Sequence, residues 1–397
     1  MRGINLRQHP LPMFGAVTSA ERSPGAGRLP KIALVSIGIG RVQRGFERYF
    51  SDIFGVLRSE LDITLYKGSG EGNPRERVPM LFGALTPLAR CLPFGVVVGG
   101  AEYRHYKHDC VAYSLSLIPE LVRRRYDVVH VIDYPLMRAL ERLSSKFGLP
   151  GRLLFTNGCC MPPPLYPRVA HVHHVAKPLF LEALSQGVPE QRMTLAPCGF
   201  HSDRFQARAS RLELRRKHRI SENTFVILVV SAVKRRHKRV DHVIEEVAAS
   251  GGDLLLWVDG NPEDSELPEL ALQKLGDRCR FTHVPSSTVG ELYHCADVLV
   301  HGALEESFAL AVVEALSTGL LVLMHDSPHF QWLAGDVECF VNMAEPGRLA
   351  ARLRELMARP ELVRRSPERS AEIRRRFDWQ SLKPTYLEMY RKVADAQ

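Results

Sequence analysis

A chain of 397 residues is longer than one ordinary hydrophobic core and suits two domains with a cleft between them, at roughly 150 residues per domain. Hydrophobic residues at 45% and charged residues at 24% exclude a mainly disordered or fibrous protein, and no run of about 18 uncharged apolar residues, the length a membrane span needs, occurs. The formal charge of +9 fits nucleic acid, an anionic membrane surface or phosphorylated ligands as partners, but no zinc-finger spacing or aromatic RNA-binding signature accompanies the basic runs, so no nucleic-acid partner is expected. Eight cysteines without a CxxC pair suit a reducing cytoplasm; adjacent Cys159 and Cys160 are expected to be buried.

Residues 1–29 carry Arg2, Arg7, Arg22 and Arg28 but no continuous apolar block, which reads as a disordered lead-in rather than a secretory signal. From residue 31 short β-branched runs alternate with amphipathic segments, the pattern of an α/β protein with parallel sheets. KIALVSI (31–37) predicts a first strand, followed by the loop GIGRVQRG and a helix bearing Phe46, Phe50, Ile53, Phe54 and Leu57. LDITLY (61–66), YDVVHVID (126–133) and RLLFTN (152–157) predict later strands of the same sheet. Between them, residues 61–109 hold the Gly/Ser-rich KGSGEGNPRERVP and the aromatic, basic YRHYKHD (103–109), read as a mobile lid, an acceptor surface or an irregular excursion.

The first domain is expected to run from 30 to 185. A second series then opens with MTLAP (193–197) and continues through TFVILVVSA (224–232), DLLLWVDG (253–260), DVLVHG (297–302) and LLVLMHD (320–326), placing a second domain at 186–378. Such unbroken apolar runs suit strands covered on both faces, so two doubly wound sheets facing across a cleft are expected, with ligands bound beyond the carboxyl ends of the strands.

The most informative stretch is DVLVHGALEESFALAVVEALSTGLLVL (297–323), a strand, a short loop with Glu305, Glu306 and Ser307, and an apolar helix ending before Gly319. Backbone N–H groups at the helix start, around Phe308 to Leu310, would favour a phosphate, and small Ala309 would permit its close approach. Glu314 sits among apolar neighbours and needs a partner, since an unpaired buried charge is costly. A helical rise of 1.5 Å per residue puts Glu306 and Glu314 roughly 12 Å apart, too far for an acid/base dyad but suited to gripping two ends of a nucleotide sugar. On these residues alone, a solvated helix face for Glu314 and a plain helix cap at Ser307 remain open.

EESFALAVVEALSTG resembles the E-x7-E signature of retaining glycosyltransferases of family four, with Glu306 and Glu314 at its two glutamates. APCGFHSDRF (196–205), HKRVDHVIEEV, RCRFTHVPSSTVGELYHCADV and the terminal RFDWQSLKPTYLEMYRKV resemble further family segments in the same order. The resemblance implies the glycosyltransferase B fold of two Rossmann-like domains, with a last helix (379–397) returning to the first, and transfer of a hexose from a UDP- or GDP-type donor with retention. It implies no metal and no cofactor. Glu314 would hold the donor ribose, Glu306 the transferred sugar, and Lys238 the departing diphosphate. Ser307, Phe308, Ala309, His283 and Val284 complete the implied donor contacts. Val233 stands where the family has an arginine, so Lys234 or Arg235 is expected to supply that charge, and Asn157 stands near a frequent histidine. Gly38, Gly40 and Arg44 of the first loop are candidate contacts for phosphate or acceptor.

The expected partners are a nucleotide sugar and a carbohydrate, lipid-linked or small-molecule acceptor, in the cytoplasm or at a membrane surface. An epimerase, a phosphorylase or a noncatalytic sugar-nucleotide or polyanion binder of the same fold are the alternatives. HVHH (171–174) places His171 and His173 on one strand face, but without further metal-ligand spacing they are expected to line the cleft or satisfy backbone.

Overall fold

The computed structural model describes residues 28–42, 45–91, 101–149, 151–168, 170–335 and 337–396, with only the backbone of 101–104, 145, 147 and 337. Nearly all of the lead-in, 1–27, and the candidate contact Arg44 lie outside these residues.

Seven strands form the first sheet: β1 (Lys31–Ser36), β2 (Asp62–Lys67), β3 (Glu76–Arg77), β4 (Val128–Val131), β5 (Arg152–Asn157), β6 (His171–His174) and β7 (Met193–Leu195). Six form the second: β8 (Phe225–Val230), β9 (Leu254–Asp259), β10 (Cys279–Thr282), β11 (Val298–Val300), β12 (Leu321–His325) and β13 (Phe340–Val341). Their orders are β3-β2-β1-β4-β5-β6-β7 and β10-β9-β8-β11-β12-β13, with parallel pairing throughout. Each is a doubly wound order that reverses beside its first strand, at the β1/β4 and β8/β11 gaps, and such a reversal opens a crevice at the strands' carboxyl ends. The apolar runs give the burial expected of covered strands: every residue of LLLWVD in β9 is buried.

Two readings need correction. MTLAP does not open the second sheet. Its strand β7 pairs with β6 at the first sheet's edge, Val172 beside Met193, so that sheet extends past residue 185. The helix Lys177–Ser185 makes the crossover between these two parallel strands, a connection a hairpin cannot provide. The YRHYKHD stretch is not irregular: it belongs to the helix Ala101–Arg124, packed on the helix Phe82–Arg90. Buried Asp109 holds this pair to the first loop by accepting from Arg41 at 2.7 Å and Arg90 at 2.9 Å.

The chain crosses between the domains twice, and the crossings are joined. Phe200 N donates to Phe377 O and Trp379 N to Phe200 O, each at 3.0 Å. A Cβ on Gly199 would lie 2.3 Å from the Trp379 ring, so only glycine permits this approach. The final helix, Trp379–Asp395, then buries Trp379, Leu382, Tyr386, Met389, Tyr390 and Val393 against the first domain, each burial contributing about 1.5–3 kcal/mol for side chains of this size.

A directional polar chain anchors that helix. His173 Nε2 lies 2.7 Å from the Ala196 carbonyl, which only accepts, so this nitrogen carries the proton. Nδ1 must then accept from the Thr156 hydroxyl at 2.9 Å, Thr156 must accept from His130 Nε2 at 2.6 Å, and His130 Nδ1 must accept from the Tyr390 hydroxyl at 2.8 Å. This direction is that of two neutral imidazoles, and burial, which holds both below their ordinary pKa, supplies that state.

Candidate functional site

At the β8/β11 switch point two loops meet. After β8, the chain runs through Lys234 to Arg239, with His237 and Arg239 both left-handed, at φ 72° and 50°. After β11 comes Gly302, where an added Cβ would sit 2.9 Å from the Lys238 carbonyl oxygen. This close approach places Lys238 against Glu306, whose carboxylate accepts from the ammonium. His237 Nε2 at 3.4 Å and His301 Nε2 at 3.3 Å flank the same oxygen. Burial alone would raise the Glu306 pKa. The neighbouring His237 and His301 rings, with the charge of Lys238, outweigh it and hold the carboxyl far below its usual range. Glu306 is thus an ionised acceptor at neutral pH and not a general acid.

The helix that follows is shorter than expected. It spans Leu310–Ser317, so Glu306 to Ala309 lie in the loop and the continuous helical spacing does not apply to the two glutamates. Ala309 is the N-cap, in the left-handed region at φ 66°. Phe308 is buried edge-on to Trp332 and Phe377, which fixes the entry of the helix, and Ser307 is buried beside it. Val312 N and Val313 N donate to the Ala309 carbonyl, which leaves the N–H groups of Leu310 and Ala311 without an intrahelical acceptor at the positive end of the helix dipole, a few residues after Glu306.

Glu314 is not on a solvated face. It is 3% exposed and uses both carboxylate oxygens: Tyr293 donates its hydroxyl to Oε2 at 2.9 Å, and Arg48 of the first domain lies 2.9 Å from Oε1. Burial raises its pKa above the ordinary carboxylate value, with Arg48 and Tyr293 pulling the other way. Arg48 projects from the helix Gly45–Leu57, which also sets Asp52 3.4 Å from His201 and 3.6 Å from Arg204. The interdomain partner of Glu314 was invisible in the sequence. The only signal was the i, i+4 pair Arg48 and Asp52 on the polar side of an amphipathic helix.

Other candidates separate from this centre. Lys234 pairs with Glu263 at 3.0 Å and Arg235 with Asp264 at 3.2 Å, whereas Lys238 pairs with Glu306. Val233 is buried. Val284 N already donates to Asp259 Oδ1 at 3.0 Å, and His283 is exposed at the end of β10. Asn157 is fixed by Met161 and Tyr166 inside the first domain. Cys160 of the next loop faces the charges of Glu306 and Glu305, and burial foremost pushes its thiol up to about 12, while Cys159 is exposed rather than buried. Gly38 and Gly40 are accounted for by packing within the domain: a Cβ would meet Glu47 Oε1 at 2.2 Å in the first case and the Ser69 carbonyl at 2.3 Å in the second. The carboxylate beside Gly38 disfavours a phosphate there. His171 takes Thr194 and His173 takes Thr156 and Ala196, and no group of three His, Cys, Asp or Glu among the described residues is arranged to hold a metal ion.

The second domain and the fold as a whole have counterparts among known proteins. Residues 210–372, most of the second domain, match the family model of glycosyl transferases group 1. Lipopolysaccharide glucosyltransferase WaaG of Escherichia coli is 32% identical over 164 residues, 39% of this chain and 43% of that enzyme, so the matched portion spans less than half the relative's length. Among solved structures, sucrose-phosphate synthase from Thermosynechococcus elongatus superposes with a TM-score of 0.76 at 16% identity, covering 93% of this chain and all of that one. Anabaena HepE in complex with UDP-glucose gives 0.69 at 16% identity, over 91% and 99%. With its two doubly wound sheets, this chain has the glycosyltransferase B fold, and its residues 210–372 are similar to the glycosyl transferases group 1.

Proposed function

We propose that the protein transfers a sugar from a nucleoside-diphosphate sugar, of UDP or GDP type, to a hydroxyl of a carbohydrate or lipid-linked acceptor, with retention of anomeric configuration. The observation that carries this reading is the convergence of Lys238, Glu306 and the N-terminus of the helix Leu310–Ser317 at the β8/β11 switch point. Glu306, ionised and acceptor-only, takes hydroxyl groups of the transferred sugar. Lys238 and the helix N–H groups receive the diphosphate, and Glu314 the ribose.

In the transfer the bond between the anomeric carbon and the diphosphate oxygen breaks, and a bond to the acceptor oxygen forms on the same face. The acceptor proton passes to the departing phosphate oxygen. The protein's main contribution is electrostatic: a fixed ammonium and oriented backbone dipoles stabilise the charge that develops on the leaving group. No protein base is needed, in keeping with the fixed side chain of Asn157 and the high thiol pKa of Cys160.

Calorimetric titration with UDP, GDP, ADP and their common sugars tests the donor site, and the anomeric configuration of the product, read by NMR, tests retention. Lys238→Ala should lower kcat by about 100-fold or more, as expected for loss of a charge that stabilises the transition state. A folded protein that binds none of these nucleotides at millimolar concentration sinks the proposal. Binding without turnover supports the noncatalytic alternative.

A further inference from the structure

The first domain places a cation where the proposal puts the ribose. Arg48 Nη1 lies 2.9 Å from Glu314 Oε1, Tyr293 occupies Oε2, and the glutamate side chain is 4% exposed. A ligand hydroxyl approaching Oε1 would compete with Arg48 for that oxygen. Arg48 itself is less confined, at 27% side-chain exposure, and has a second carboxylate within reach: its Nε is 4.0 Å from Asp52 Oδ2, one turn along the same helix. Its guanidinium also lies 5.9 Å from the centroid of the Phe205 ring, on the segment that enters the second domain. Glu314 therefore has Tyr293 on one oxygen and Arg48 on the other, while Arg48 has a second anion beside it. Cavities of about 330 and 460 Å³ lie elsewhere, one lined by Pro163, Tyr166 and Arg192 and the other by Arg125 and Gly151.

We propose that Arg48 is an interdomain latch on the donor site. It holds the first domain against Glu314, and the donor ribose displaces it, so that donor binding and separation of the helix Gly45–Leu57 from the helix Leu310–Ser317 are one event. The reading rests on the assignment of Glu314 to the donor ribose. Its thermodynamic consequence is definite: a protein whose binding-competent form is a minority binds with a Kd raised by the inverse of that fraction, and removing the latch removes the penalty.

The experiment is calorimetric titration of UDP and GDP sugars into wild type, Arg48→Met, and Arg48→Met combined with Glu314→Ala. Methionine keeps an unbranched chain against Phe205 while removing the charge. The result expected is a Kd lowered about threefold to tenfold in Arg48→Met, with that gain lost in the double variant, and a larger radius of gyration for Arg48→Met in solution scattering. Should the methionine variant misfold, Arg48→Lys, with a single charged nitrogen in place of the fork, is expected to tighten binding to a smaller degree. Unchanged or weaker binding in Arg48→Met or Arg48→Lys, with Glu314→Ala still weakening it further, overturns the latch and leaves the donor site standing. Absence of nucleotide binding in wild type and in Arg48→Met alike overturns both readings.

Discussion

Arg365 Nη1 lies 3.1 Å from the carbonyl oxygen of Thr318, the residue that closes the helix bearing Glu314. Its other amino group reaches the carbonyls of Tyr293 at 2.6 Å and His294 at 3.3 Å, at the end of the neighbouring helix Val289–Cys295. Arg374 and Arg369 add donors to Ser317 O and Gly319 O. A positive side chain at these carbonyl ends complements the helix dipoles whose opposite ends point to the candidate site. Arg365→Ala should therefore cost about 3 kcal/mol, because several half-buried carbonyls lose their donor at once. Arg365→Lys should recover only part, since a single ammonium does not span two helix ends. Urea unfolding of the three proteins checks both statements, and equal stability of Arg365→Ala and wild type would refute the capping role.

Ala309 adopts φ 66° and ψ 65°, a left-handed conformation that costs a residue with a Cβ roughly 1–2 kcal/mol and glycine nearly nothing. Against this, glycine loses more backbone entropy on folding, about 0.5–1 kcal/mol. Ala309→Gly should therefore raise stability by about 0.5–1 kcal/mol, seen as a higher Tm. A lowered Tm would mean that the methyl group contributes packing that offsets its strain.

The hydroxyls of Tyr49 and Tyr386 are 2.6 Å apart, and Tyr386 also lies 2.8 Å from the Pro197 carbonyl. Since the carbonyl only accepts, Tyr386 donates to it and Tyr49 donates to Tyr386. Tyr49→Phe removes one bond and leaves Tyr386 satisfied, at a cost of about 1 kcal/mol. Tyr386→Phe strands both the Tyr49 hydroxyl and a buried carbonyl, and should cost about twice as much or more. Equal costs, measured by chemical denaturation, would contradict this direction of donation.

Acid should destabilise the first domain through its buried imidazoles. Burial lowers the pKa of His171 and His173 to about 4 and of His174 to about 3. Unfolded histidine titrates near 6.5, so below that pH the unfolded chain binds the extra protons, and stability falls from about pH 6.5 until the folded values are reached. The loss is at most about 1.4 kcal/mol per pH unit for each group. The urea midpoint should be flat above pH 7 and decline between pH 6.5 and 4. His174 packs on the rings of Tyr166 and Phe180 at 5.7 and 5.8 Å, so His174→Phe should keep the fold and reduce the slope; an unchanged slope would exclude His174 as a contributor.

The two parallel sheets were legible in the chain because strands covered on both faces leave unbroken apolar runs such as FVILVV and LLLWVD, and the strand-loop-helix around Glu306 announced itself by the same rule. Strand β7 was misplaced because three residues carry little pattern, and which sheet they join depends on a crossover rather than on local composition. The separate partners of the charges near Lys238 were hidden for a different reason. In KRRHKR every residue looks alike, but left-handed His237 and Arg239 turn successive side chains apart, sending Lys234 and Arg235 to the acids at 263–264 and Lys238 and His237 to Glu306. The sequence by itself determined that Glu314 has apolar neighbours along the chain and that, once buried, it must have a partner, because burial of a lone charge is too costly. That the partner is Arg48 was decided only by the tertiary structure, since a charge pair acts through space over a few ångströms and leaves no trace in the spacing of residues that belong to different domains.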